Sequence, residues 1–157
     1  MLTRVSTLPL PPHAKATFAA SVAGSKVYYG CAVAPLGPTR STQLQRSFTA
    51  AVWSGQGKRA TEVVLNTLHK GHRLDPEVAV PYACVTQWVT LVNKSHTVAA
   101  LTTEAWEHRN ALDGTFAGPF HQLCAAFRTA DWVWEQPLKL RYTDADGIVT
   151  QADVSCW

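Results

Sequence analysis

Two pairs of side chains have the spacing of metal ligands. His69 and His72 are three residues apart, as are His121 and Cys124, and this spacing places two donors on one face of a helix. Together the four side chains could form a tetrahedral zinc site. However, Gly71 interrupts the first pair at a predicted helix end, and Cys124 belongs to an apolar stripe. The pairs are therefore weak metal candidates, and we predict no bound metal or other cofactor.

Other catalytic constellations are incomplete. The four cysteines and six histidines carry no flanking signature of a nucleophilic site. Residues 144–147 begin like a calcium loop, but Ile148 stands at the third acidic position and no bidentate glutamate follows at the required distance. The sequence has no glycine-rich phosphate loop followed by Lys-Ser or Lys-Thr, and no two adjacent aspartates. We therefore predict that the chain is not an enzyme, with a small zinc or Cys/His enzyme as an alternative.

Charge is distributed unevenly along the chain. Residues 1–73 contain nine basic side chains and one acidic side chain, Glu62, whereas residues 74–157 contain five basic and ten acidic ones. An asymmetry of this size predicts a polyanionic partner for the first half, and a solvated basic face is the alternative interpretation. Aromatic residues lie among these cations and can pack on sugars and bases, although core packing is the favoured interpretation for two of them, Phe48 and Trp53.

The first half is predicted to be helical after an extended lead-in. Residues 1–12 contain three prolines and are expected to be extended. A helix is predicted from Pro12 to about Ala23, with Gly24 as its stop, and residues 26–34 are interpreted as helix rather than strand. After the break at residues 35–38, Thr39 or Ser41 can cap a helix with the buried stripe Leu44, Phe48, Ala51 and Val52. A shorter stripe follows, with the residues Thr61, Val64, Leu65 and Leu68.

The second half contains three further helical patterns and an alternating one. Asp75, Pro76 and Glu77 are a strong helix start, and the apolar face that follows comprises Cys84, Val85, Trp88, Val89 and Val92. The next stripe comprises Val98, Leu101, Ala105, His108 and Leu112, and Asp113-Gly114 should stop it. The last predicted helix begins at Pro119, and its apolar stripe comprises Phe120, Leu123, Cys124 and Phe127. Alternation at Leu138, Leu140 and Tyr142, with a turn at Asp146-Gly147, predicts a hairpin that must pack on the helices or on another sheet partner.

These patterns predict a mainly α fold, a bundle of about six helices with a short C-terminal β-hairpin. Residues 1–93 are expected to form a basic helical region, and residues 94–157 an acidic helical region that ends in the hairpin. The widely spaced cysteines and the lack of a secretory leader predict an intracellular protein, nuclear or cytoplasmic, with reduced thiols. The longest uncharged stretch is shorter than the ~20 residues of a spanning helix, so no membrane partner is expected.

Three segments read together resemble a known family. They are residues 24–31 (GSKVYYGC), 44–53 (LQRSFTAAVW) and 59–76 (RATEVVLNTLHKGHRLDP). They resemble the region that follows the palm in reverse transcriptases of non-LTR (LINE-type) retrotransposons. In that family a Tyr-Gly element, a helix ending in Trp and a final helix pair form the thumb and connector. The match covers roughly residues 4–90 and depends on spacing and residue character.

The resemblance implies that the helices hold a template–product duplex by its backbone, whatever its sequence. By position it implies phosphate contacts for five cations, Lys26, Arg40, Arg46, Lys58 and Arg59. The family's paired aspartates, which hold two metal ions for nucleotide transfer, and its fingers are absent here. The chain is therefore expected to be a fragment without polymerase activity, with nucleic acid and the palm and fingers of the parent protein as partners. The alternative is a non-enzymatic helical module that docks its apolar stripes on a partner chain.

Overall fold

The computed structural model describes residues 2–31, 34–53, 60–68, 71–109, 118–144 and 146–156. The chain divides into two compact units, Met1–Cys31 with Pro35–Val80, and Ala32–Ala34 with Pro81–Trp157. Helices dominate both units, and a small antiparallel sheet lies at the end of the second. The predicted fold class is therefore confirmed.

The first unit begins with a short helix where an extended lead-in was predicted. Helix α1 spans Leu2–Ser6 and packs on α4 (Pro38–Val52), with Val5 buried. A five-residue segment with the β-branched residues Thr3 and Val5 has little intrinsic helix propensity, so its local sequence does not predict a helix. The segment is helical because packing against α4 stabilises it.

A continuous helical run follows from Pro12 to Tyr28. It consists of α2 (Pro12–Ala19), a π-helical segment (Ala20–Gly24) and α3 (Ser25–Tyr28). The Ser25 N–H donates to the Ala20 carbonyl, the i→i+5 bond that defines the π turn. Gly24 has α-helical dihedrals, so it does not stop the helix as predicted.

Helix α4 starts earlier than the predicted caps. Gly37 is its N-cap without a side-chain hydrogen bond, and Pro38 occupies the first position, where its fixed φ suits a helix start. Capping by Thr39 or Ser41 was therefore wrong. Of the predicted stripe, Phe48, Ala51 and Val52 are buried and Leu44 is half-buried. Helix α5 (Thr61–Thr67) and a short 3₁₀ helix (Gly71–Leu74) lie between α4 and α6 (Pro76–Lys94) in the chain.

The predicted start of α6 is confirmed. The Asp75 Oδ1 accepts a hydrogen bond of 3.1 Å from the Glu77 N–H, and Pro76 is the first helical residue. Pro81 lies inside α6 and lacks the N–H that would bond to the preceding turn, yet the helix continues to Lys94. The sequence-based boundary between residues 93 and 94 lies at the end of α6, inside the second unit.

The core of the second unit joins helices to the sheet. Helices α7 (His96–Glu107) and α8 (Pro119–Thr129) follow α6. The buried core residues are Trp88, Val92, Leu123, Phe127, Leu140 and Val154. Residues 110–117 lie outside the described residues, and with them Leu112 and the predicted stop at Asp113-Gly114.

The buried face of α7 differs from the predicted stripe. Leu101 is 57% exposed and His108 is exposed, whereas Thr102 is buried. The hydroxyl of Thr102 donates to the Val98 carbonyl at 2.8 Å and accepts from the Trp88 Nε1 at 3.3 Å. Because both hydrogen-bonding roles are satisfied, a threonine occupies the core position that apolar periodicity assigned to Leu101.

The sheet contains three strands in the order β1 (Val133–Gln136), β2 (Lys139–Thr143) and β3 (Val149–Asp153), all antiparallel. The predicted hairpin corresponds to β2 and β3, and its turn contains Gly147 at φ 79°. Its further sheet partner is β1, a strand that the sequence analysis did not predict.

Candidate nucleic-acid interface

Three of the five predicted phosphate ligands lie on helices of the first unit. Lys26 is on α3, and Arg40 and Arg46 are on α4; all three side chains are exposed. Lys58 and Arg59 lie outside the described residues. Their predicted role therefore stays a prediction.

Lys26 lines an open groove of about 610 Å³ in the first unit, which we call the Lys26 groove. Its walls come from α1, from the end of the π segment with α3, and from α4, with Ser6, Val27, Ser47 and Ala50 among the lining residues. Of the described residues that line it, Lys26 alone carries a charge. Small and apolar side chains make up most of the remaining surface, so a ligand here would meet one cation and an apolar wall.

Helix geometry relates both arginines of α4 to this groove. Arg40 precedes Ser47 by seven residues, so the two lie on the same face of the helix, two turns or about 10 Å apart along its axis. Arg46 precedes Ala50 by four residues and is its neighbour on the helix surface. Since Ser47 and Ala50 both line the groove, the two arginines lie beside the part of α4 that borders it.

Among the described residues, no carboxylate forms an ion pair with an exposed cation of the first unit. Within the described ranges the structure forms one ion pair, between Arg141 and Glu135 of the sheet, and it belongs to the second unit. Asp75 is buried and accepts a hydrogen bond of 2.9 Å from the Gln45 Nε2 in addition to its capping bond. The positive charge of Lys26, Arg40 and Arg46 therefore faces solvent.

Lys15, a basic residue of the first half, is not on the surface. Lys15 is 5% exposed, and its Nζ donates to the Ser6 carbonyl at 2.7 Å. Ser6 is the last residue of α1, so the ammonium group caps carbonyls that a helix end leaves unsatisfied. Burying a lysine is costly unless its ammonium group finds a partner, and here it donates to the Ser6 carbonyl, so Lys15 does not contribute to an exposed basic surface.

A buried polar cluster fixes the helices that carry the cations. The Tyr28 hydroxyl donates to the Leu74 carbonyl at 3.0 Å, next to Asp75, which in turn binds Gln45 of α4. Burial, and secondarily the negative charge of Asp75, raises the pKa of Tyr28 far above its ordinary value near 10. Tyr28 therefore stays a neutral donor that ties the end of α3 to the segment before α6.

The raised pKa of Tyr28 gives the stability of the first unit a dependence on alkaline pH. A tyrosine whose pKa is higher in the folded than in the unfolded chain contributes fully below pH 10, and the contribution declines as pH rises towards the folded pKa. We expect the free energy of unfolding to fall above pH 10 by up to about 1.4 kcal/mol per pH unit from this group. Urea denaturation at several alkaline pH values measures this decrease in the free energy of unfolding.

The matched variant for this measurement is Tyr28→Phe. It leaves the Leu74 carbonyl without its donor, so it should be less stable at neutral pH by about 1–3 kcal/mol. Because it removes the titrating group, its stability should decline less steeply than that of the unmodified protein above pH 10. Parallel declines in the two proteins would contradict the assignment to Tyr28.

The aromatic residues among the cations divide into two groups. Phe48 and Tyr28 are buried and lie 6.3 Å apart between ring centroids, so the core-packing interpretation of Phe48 is confirmed, and Trp53 is half-buried. Tyr29, by contrast, is 78% exposed. The two adjacent tyrosines therefore differ in burial, one in the core and one on the surface.

The four weak zinc candidates are not seen together among the described residues. His121 and Cys124 are half-buried on α8 in the second unit, His69 lies outside the described residues, and the side chain of His72 is not among those described. No three His, Cys, Asp or Glu side chains come together to hold a metal ion in the part of the chain that the structure describes. Burial raises the pKa of the Cys124 and Cys31 thiols, which favours the unreactive protonated form.

In the segment that begins like a calcium loop, the carboxylate of Asp144 accepts hydrogen bonds from backbone N–H groups of the same connection. The Asp144 Oδ1 accepts hydrogen bonds from the Asp146 and Ile148 N–H groups at 3.0 and 2.9 Å. The Asp144 N–H also donates to the Ile148 carbonyl, which closes the β2–β3 connection. This pattern is that of a turn, as interpreted from the sequence.

Among the described helices, none combines the length and the apolar character needed to cross a bilayer. Comparisons with protein-family models, curated proteins and solved structures gave no match to this chain.

Proposed function

We propose that the first unit binds the phosphate backbone of a nucleic-acid duplex without reading its sequence, as the thumb and connector of a retroelement reverse transcriptase would. Lys26, Arg40 and Arg46 are the proposed phosphate ligands, with Lys58 and Arg59 as further ligands from the sequence. The proposal assigns binding and no catalysis to the chain, since the sequence has no paired aspartates for two metal ions.

The observation that supports the proposal is the exposed charge of Lys26, Arg40 and Arg46, none of which pairs with a carboxylate within the described residues. Phosphate groups are spaced closely along a duplex, so separated cations on two helices can contact several of them at once. Long, flexible basic side chains contact phosphate oxygens of any base sequence. Affinity should therefore depend strongly on salt and weakly on sequence.

The test replaces the three cations together, as K26Q/R40Q/R46Q. Each phosphate contact on B-DNA contributes about 0.9 to the slope of log affinity against log salt, so the triple variant should flatten this slope by up to about 2.7. Its affinity at low salt should fall at least about tenfold. Fluorescence anisotropy with a labelled blunt duplex across a salt series measures both quantities.

A triple variant of the second unit, K94Q/R128Q/K139Q, is the matched control, because it removes the same charge from exposed positions elsewhere. It should leave the slope nearly unchanged. Equal losses in the two triple variants would mean that net charge alone drives binding. Affinity that ignores salt in the unmodified protein would exclude the proposed phosphate contacts.

A further inference from the structure

The Lys26 groove combines a carbon-lined base with a single charged group. Ala23 and Ala51 line it and are buried, and Val27, also in its lining, is half-buried. Lys26 is exposed, and it is the charged residue among the described residues that line the groove. A ligand that fills the groove would therefore bury apolar atoms and place one negative group beside the ammonium group of Lys26.

Two hydroxyl groups in the lining already donate their proton within their own helices. The Ser6 Oγ donates to the Thr3 carbonyl at 2.7 Å, and the Ser47 Oγ donates to the Gln43 carbonyl at 2.8 Å. A hydroxyl has one proton, so neither group can donate to a ligand without giving up its helix bond. A ligand with many acceptors, such as a sugar or a nucleobase, would leave most of them without a donor, which is costly. The groove therefore favours a ligand with one small polar group.

The electrostatics of the groove favour a negative charge on that polar group. No carboxylate is among the described residues that line it, and Lys26 forms no ion pair within the described part of the chain. Arg46 is the helix neighbour of the lining residue Ala50 and adds a second positive charge nearby. The groove volume of about 610 Å³ lies within the range of sites for small molecules.

We propose that the Lys26 groove binds a small amphipathic anion, a carboxylate with a straight alkyl chain of medium length. The carboxylate accepts a hydrogen bond from the Lys26 Nζ, and the alkyl chain lies against Ala23, Val27 and Ala51. Because the groove is open, one side of the chain stays in contact with water. This site goes beyond the proposed nucleic-acid binding and shares only Lys26 with it.

The test titrates the full chain with octanoate, hexanoate and octanol, below the concentrations at which octanoate forms micelles. The dissociation constant of octanoate should be on the order of 1 mM. Octanoate should bind about fourfold more tightly than hexanoate, because two more methylene groups are half-buried. Calorimetry measures the affinities. Amide NMR shifts locate the ligand, and those of Ala23, Val27 and Ala51 should move while those of the second unit stay unchanged.

Two variants test the charge contact. Lys26→Gln should lower octanoate affinity about fivefold and octanol affinity by less than about 1.5-fold, because only the carboxylate uses the ammonium group. Ala50→Glu places a carboxylate in the groove lining, so it should lower octanoate affinity by a similar factor and change octanol affinity little. The matched controls are Lys94→Gln and Ala100→Glu at exposed helix positions of the second unit, and neither should change either affinity.

The outcomes separate this site from the proposed function. Salt-dependent duplex binding by a protein that binds no octanoate would overturn the groove site and leave the phosphate interface intact. Equal losses of octanoate and octanol affinity in Lys26→Gln would also overturn it, because the loss would not come from the charge. Octanoate binding with the expected variant effects, in a protein that binds no duplex, would support the groove site and contradict the nucleic-acid proposal. Circular dichroism of each variant checks the fold.

Discussion

Replacing Trp88 with alanine is expected to lower the free energy of unfolding of the second unit by about 3–5 kcal/mol. Trp88 is 8% exposed, and its ring meets those of Phe127 and Trp134 edge-on at 5.6 Å between centroids. Its Nε1 also donates to Thr102, whose hydroxyl would lose a partner in the variant. Urea denaturation followed by circular dichroism measures the change.

The control is Leu91→Ala on the same helix, where the side chain is half exposed to solvent. It should cost less than about 1 kcal/mol, because little apolar surface is buried there. Trp88→Phe should fall between the two, since it keeps an aromatic ring but loses the Nε1 donor. Similar losses for Trp88→Ala and Leu91→Ala would mean that Trp88 does not organise this core.

In the first unit, Phe48→Ala is expected to lower the free energy of unfolding by a similar amount, about 3–5 kcal/mol. Phe48 is fully buried on α4, and its ring lies against that of Tyr28 at the end of the helical run that carries Lys26. Removing it leaves a cavity between the helices that form the groove, so nucleic-acid affinity should fall together with stability. Denaturation and anisotropy titration on the same variant measure both.

Thr42→Ala provides the comparison, because Thr42 is exposed on α4 and its hydroxyl donates to the Pro38 carbonyl of its own helix. The expected change in stability is within about 0.5 kcal/mol. A Phe48→Ala protein that loses less than about 1 kcal/mol would show that the first unit does not depend on this contact.

Much of the fold could be predicted because its signals are local. The prolines at positions 12, 76 and 119 each mark the first residue of a helix, and Asp75 caps α6 through its side chain. Apolar spacing identified the buried face of α4, and the alternation after Leu138 identified β2. These features depend on neighbouring residues and need no knowledge of distant contacts.

The missed helix α1, the buried Lys15 and the buried Thr102 share one cause, which is dependence on tertiary partners. Helix α1 forms against α4, and Lys15 is buried because α1 ends at Ser6 with a carbonyl that needs a donor. Missing the helix therefore meant missing the buried lysine as well. Thr102 likewise occupies a core position through a hydrogen bond to Trp88, fourteen residues away in sequence. Apolar periodicity cannot anticipate a polar side chain satisfied by such a distant partner.

The candidate site could be predicted only in outline. The charge asymmetry indicated a basic first half, and the resemblance implied Lys26, Arg40 and Arg46 by position; the structure leaves all three exposed. The sequence alone could not show which of Tyr28 and Tyr29 is buried, because the two residues are adjacent and of the same type. Only the packing of Phe48 and the donor bond to Leu74 determine which of the two rings is buried.

The π turn at Ala20–Gly24 has a consequence for how this surface could have arisen. A π turn accommodates one additional residue within an otherwise α-helical run, so every later side chain is rotated by about 100° relative to an uninterrupted helix. The residues before it, Ala16 and Ala19, are fully buried, while Lys26 after it lines the groove. A single-codon insertion that is taken up in such a turn therefore leaves the later side chains, Lys26 among them, on the face that they occupied before the insertion, and the packing of the first half of the helix is also kept.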